Sequence, residues 1–146
     1  MNSKDKGNLA EAKTLADLLD KGLNVAQPFG DNLPFDLIAI DSNMHLYKVQ
    51  VKYCAVKNGI ITLRKQKWSS NTKRNYVSVY KDQDVDVYAL YCVDNNMVYY
   101  VPHNVTQTAT TSFHLRVIPA RGKQLYNANI NEAGLFLNFP TKQWCL

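Results

Sequence analysis

The chain has 146 residues, 46% of them hydrophobic, which suits one domain with its own core. It contains no apolar run of about 18 residues, and its polar start, MNSKDKGNLAEAK, lacks the apolar stretch of a secretory leader. Neither membrane spanning nor export is expected, and a cytoplasmic location is. The net charge is +5, but its distribution is more informative: residues 42–81 hold nine Lys or Arg and no acid, while the other 106 hold eight bases and twelve acids. A basic block in an otherwise acidic chain points to a polyanionic partner.

Taken in chain order, residues 4–21 read as an amphipathic helix. Leu9, Ala12, Leu15, Ala16, Leu18 and Leu19 recur at helical spacing, Ser3 or Asp5 is placed to cap the start, and Gly22 sits at the stop. NVAQPFGDN follows as a short strand and a turn. PFDLIAID (34–41) and HLYKVQVKYC (45–54) alternate around the turn residues Asp41-Ser-Asn-Met and predict a β-hairpin. In its second strand Leu46, Lys48, Gln50 and Lys52 share one face, and Tyr47, Val49 and Val51 share the other.

Asn58-Gly59 predicts a tight turn into the strand IITLRK. KQKWSSNTKRN is polar and reads as a loop. DVDVYALYCV is a buried strand, turned by Asp94-Asn-Asn into the edge-like strand MVYYVP. HNVTQTATTSFHLRVIP holds a turn of helix and a short strand. The stretch 103–146 carries little further signal, and assembly contacts are expected of it. One domain spanning 1–146 is expected, with a core over about 4–102 and an extension over about 103–146. One helix followed by a run of strands gives an α/β or α+β domain on a mixed central sheet.

Cys54, Cys92 and Cys145 are odd in number and far apart, so buried reduced thiols fit better than a disulfide framework. Neither the cysteines nor His45, His103 and His114 form a zinc or HNH pattern. Ala133-Gly134-Leu135-Phe136 lacks the acid of the LAGLIDADG helix. Asp82, Asp84 and Asp86 read as loop and strand-capping residues.

Phosphodiester hydrolysis needs hard oxygen ligands for a divalent cation and a cationic group near the attacking water. The hairpin sets Asp36 beside Gln50 and Lys52: one carboxylate, one amide oxygen and one ammonium. Glu11 supplies a second carboxylate if the helix packs on the same sheet.

These residues resemble the PD-(D/E)XK nuclease superfamily. Pro34-Phe35-Asp36 corresponds to its Pro-Asp, Gln50-Val51-Lys52 to its acid-X-Lys, and Lys6-Gly7-Asn8-Leu9-Ala10-Glu11 to the KG-x-x-x-E helix start of its resolvase-like branch. The resemblance covers residues 4–102. It departs in two places: Phe35 separates Pro34 from Asp36, and the acid position holds Gln50. Size and the Gln-Val-Lys variant most resemble a homing endonuclease encoded in a cyanobacterial group I intron.

The resemblance implies a restriction-endonuclease-like core with a mixed sheet flanked by helices. It also implies Mg2+ (with Mn2+ as a substitute) held by Glu11, Asp36 and Gln50, with Lys52 completing the catalytic set. The expected activity is site-specific endonucleolytic cleavage of double-stranded DNA. The rivals are a Holliday junction resolvase and a non-cleaving DNA-binding module that has lost its acid at position 50.

Residues 64–76 are the expected DNA-binding stretch. Arg64, Lys65, Lys67, Lys73 and Arg74 neutralise phosphates, and Ser69, Ser70 and Asn71 donate hydrogen bonds to them. Gln66, Asn71 and Arg74 are candidates for reading bases. Tyr76 completes the set, and Trp68 reads as core. Cutting both strands needs two active sites, so a homo-oligomer, either a dimer or a dimer of dimers, is expected.

Overall fold

A computed structural model describes residues 1–70, 75–121 and 130–140, with the side chains of 67–70, 75 and 76 excepted. The expected contributions of the Lys67, Trp68, Ser69, Ser70, Asn71, Lys73, Arg74, Tyr76 and Cys145 side chains lie outside the described residues.

Helix α1 runs Ser3–Asp20. Neither Ser3 nor Asp5 caps it. Asn2 does, accepting a 2.9 Å bond from the Asp5 amide, and Gly22, at φ 84°, follows the last turn. The buried stripe is Ala10, Thr14 and Leu18, four residues apart, with Leu9 and Leu15 half-buried beside it. Ala12, Ala16 and Leu19, expected in the stripe, are exposed. Small residues occupy the centre of the contact, so the helix lies close on the sheet. Glu11 flanks the stripe.

The main sheet has the order β1 (Asn24–Ala26), β2 (Leu37–Ile40), β3 (Leu46–Cys54), β7 (Val87–Cys92) and β8 (Met97–Pro102). Strands β3 and β7 are parallel and the other pairs antiparallel, which makes the sheet mixed. The β2–β3 hairpin is the one expected, with Leu37 opposite Val49.

Between β3 and β7 the chain forms β4 (Ile60–Arg64), β5 (Gln66–Ser70) and β6 (Asn75–Val79). Asn58 and Gly59 both have positive φ, 53° and 77°, as a type I′ turn requires. A Cβ on Gly59 would lie 3.1 Å from the Ile118 carbonyl oxygen, so both space and conformation select glycine there. Strands β4, β9 (Ser112–Arg116) and β10 (Ile130–Glu132) build a second sheet in the order β10-β9-β4. A 3-10 helix, His103–Thr108, joins β8 to β9.

The stretch read as a loop is instead an antiparallel ribbon, β5–β6, pairing Trp68 with Val77. The described side chains of β6, Val77, Ser78 and Val79, are all exposed, so among them no buried face marks the strand.

The main sheet carries apolar clusters on both faces. Val49, Val51, Val87, Ala89 and Tyr100 pack under α1. Tyr88, Leu90, Tyr99 and Val101 pack against Ile61, Leu63, Phe113 and Leu115 of the second sheet. Strand β8 is the sheet's last strand, as expected, yet Val98–Pro102 are buried because both layers reach over it. Residues 112–116 and Ala133 of the expected extension are likewise part of the subunit's own fold and core. Among the described residues no helix is long and apolar enough to cross a membrane.

Candidate active site

Asp36 lies one residue ahead of β2, and its amide donates to the Val49 carbonyl at 2.9 Å, which ties it to β3. Its Oδ2 accepts from the Val51 amide at 2.8 Å and from Gln50 Nε2 at 2.6 Å. Gln50 Nε2 also donates to the Val51 carbonyl at 3.2 Å. Two acceptors around one amide nitrogen fix which end of the side chain is which. The nitrogen is committed to Asp36, and Oε1 is the end left to serve as a ligand.

Lys52 shares the face of Gln50. Its Nζ lies 3.0 Å from the Tyr80 hydroxyl oxygen and 5.3 Å from the centre of the same ring. Tyr80 is buried and packs edge-on against Tyr88. No sequence motif points to Tyr80; only its place just after β6, facing β3, marks it. The Tyr88 hydroxyl bonds His103 Nδ1 at 2.9 Å, and His103 Nε2 lies 2.9 Å from Asp82 Oδ1. The support behind Lys52 is therefore an aromatic contact, Tyr80 on Tyr88, with Tyr88 itself held by a separate hydrogen-bond chain through His103 to the exposed carboxylate of Asp82.

Helix α1 packs on the face of the sheet opposite Gln50 and Lys52, so Glu11 does not line the cleft they share. Its carboxyl is still within electrostatic range of Asp36. Burial raises the Glu11 pKa, and the charge on Asp36 raises it further. Burial also raises the Asp36 pKa, outweighing the Val51 amide, the Lys52 ammonium and the Gln50 amide, which pull it down. Two half-desolvated carboxylates that repel each other are what a divalent cation relieves. Two carboxylates and an amide oxygen are hard ligands of the kind magnesium takes, with water and substrate phosphate filling the rest. Among the described residues no three His, Cys, Asp or Glu side chains converge as metal ligands, in keeping with Gln50 standing at the acid position.

The cleft measures about 1010 Å³, and its lining includes Asp36, Gln50, Lys52, Arg64 and Gln66. Arg64 is exposed there and Gln66 half-buried. Lys65 is a correction to the expected DNA-binding set. It is 6% exposed, and its Nζ donates to the carbonyls of Thr106 at 2.9 Å and Ala109 at 2.8 Å. It ties down the C-terminal end of the 3-10 helix, and burial lowers its pKa against the weaker opposing pull of Asp82. Alternation along β4 and into Lys65 turns it inward while Arg64 faces out. Asp82, Asp84 and Asp86 bind His103, the Lys81 amide and the Lys48 amide, the structural roles expected of them.

The model of the PD-(D/E)XK endonuclease family matches residues 1–136, which takes in β9 and β10 as well as the hairpin. Among solved structures, that of a bacterial homing endonuclease, I-Ssp6803I, is similar at 27% identity and a TM-score of 0.73, over 84% of each chain. No curated protein matches.

Proposed function

This chain belongs to the PD-(D/E)XK endonuclease family, and from that premise we propose that it cuts double-stranded DNA at a specific site in the manner of a homing endonuclease. The observation that carries this reading is the Asp36–Gln50–Lys52 cluster at one wall of a cleft that Arg64 also lines, with Asp36 accepting from Gln50 Nε2 at 2.6 Å and from the Val51 amide at 2.8 Å. Mg2+, with Mn2+ able to replace it, would be held by Asp36, Glu11 and the Gln50 carbonyl oxygen. When bound, it supplies charge neutralisation at the scissile phosphate and lowers the pKa of an attacking water.

The chain's own residues do the rest. Asp36 is held by the Val51 amide, so its free oxygen has a fixed direction. Gln50 ties Asp36 to β3 and keeps its own oxygen available. Lys52, gripped by Tyr80, presents a positive charge where the phosphate gains negative charge. Arg64 and Gln66 extend the cleft toward the β5–β6 ribbon, which carries the remaining expected DNA contacts. A cut through both strands calls for a second active site, supplied by a second copy of the chain.

The test is incubation of a supercoiled plasmid library with and without Mg2+, alongside a four-way junction and a linear duplex of the same sequence. Discrete linear products only with Mg2+ are expected. Preferential cutting of the junction identifies a resolvase. Binding with every plasmid left intact identifies a non-cleaving module.

A further inference from the structure

We infer that Phe29 is a DNA-contacting residue, its ring packing against bases in the groove beside the phosphate to be cut. The inference rests on the nuclease reading above and adds a contact that no catalytic motif supplies.

Phe29 is fully exposed, the most exposed large apolar side chain among the described residues. Its place in the fold gives that exposure a direction. Strands β1 and β2 are antiparallel, with Ala26 opposite Ile38, so the loop joining them lies at the end of the sheet where Asp36 begins β2. Asp31, Asn32, Leu33 and Pro34 of the same loop line the catalytic cleft. Gly30, at φ 82°, turns the chain directly after Phe29. The loop thus carries an aromatic ring next to the site where substrate must enter.

Chemistry narrows the partner. Asp31 repels phosphate, so this loop cannot gain much by gripping the DNA backbone. The base edges in the groove remain, and an exposed ring suits their apolar part, the thymine methyl, or a partly unstacked step. A second protein copy is a poorer occupant. A single ring buries roughly 200 Å², well short of the ~1,000 Å² a stable interface needs. A subunit seated there would also crowd the cleft mouth.

The experiment places the photocrosslinking residue p-benzoylphenylalanine at position 29 and, in a separate protein, at position 64. Each is irradiated with a mixed-sequence 40-base-pair duplex in Ca2+. Adducts to DNA from both positions are expected. DNA adducts from position 64 alone, or position 29 linking only to another protein chain, overturn the role of Phe29. No DNA adduct from either position takes the DNA-binding reading down with it. In parallel, Phe29→Ala should weaken duplex binding about tenfold, with Phe29→Tyr restoring it. Equal binding by all three proteins also overturns the proposal.

Discussion

At the scale of single residues, the site is organised around Asp36, which is held by more donors than any other member. Asp36→Asn should lower cleavage at least about a hundredfold while leaving duplex affinity in Ca2+ nearly unchanged. A parallel loss of binding would move Asp36 from chemistry to recognition. The raised pKa values of Asp36 and Glu11 also have a definite sign. A carboxyl whose folded pKa lies above its unfolded value contributes stability at low pH, and that contribution is lost as pH rises through the folded pKa. The metal-free protein should therefore lose stability as pH climbs above the ordinary carboxylate range of about 4. Mg2+ should raise the melting temperature more at pH 7 than at pH 5, and Asp36→Asn should remove that difference. A Mg2+ effect independent of pH would break the link between the two acids and the cation. Tyr80 acts through Lys52: Tyr80→Phe keeps the ring but loses the hydroxyl 3.0 Å from Nζ, so kcat should fall about tenfold with KM unchanged. A rise in KM alone would mean that Tyr80 serves substrate binding instead.

At the scale of elements, two side chains at packing contacts make opposite predictions. Thr14 is buried under α1, and its hydroxyl has no hydrogen-bond partner. Thr14→Val keeps the shape and removes an unsatisfied group, so it should be neutral or stabilising by up to about 1–3 kcal/mol in denaturant melts. Lys65 is fully engaged, so Lys65→Met should destabilise by about 1–3 kcal/mol yet leave the salt dependence of DNA binding unaltered. Arg64→Ala should do the reverse, lowering the slope of log affinity against log salt by about 1. Equal slopes for the two variants would contradict their assigned exposures. The same two neighbours mark the limit of what could be read from the sequence. The β2–β3 hairpin, β4, β7 and β8 were legible because one or both faces are apolar in a period of two. Asp36, Gln50 and Lys52 followed from that register. Lys65 was not legible because a basic run looks alike whether its members face water or a row of carbonyls. The β5–β6 ribbon escapes for a related reason: the described side chains of β6, Val77, Ser78 and Val79, all face water, so no core face marks them. The helix stripe was legible in Leu18 but not in Ala10 and Thr14, one small and one polar, which share its contact while Ala12, Ala16 and Leu19 face water.

At the scale of the whole molecule, one sheet lies between a helix on one side and a second small sheet on the other. Gln50 and Lys52 of the candidate site sit on the face covered by the second sheet, while Glu11 comes from the helix layer. The acid of the helix layer comes within electrostatic range of Asp36, which precedes the strand proper, without lining the cleft. Among the described residues the β5 and β6 strands pair with each other and make no extensive contact with any other element. Their amide protons should exchange with solvent far sooner than those of β3 and β7, which are protected by apolar packing above and below. The protein would then grip its substrate with two lightly buttressed strands and cut it on a stiff anvil, and slowed exchange confined to those strands on adding duplex would register that division of labour.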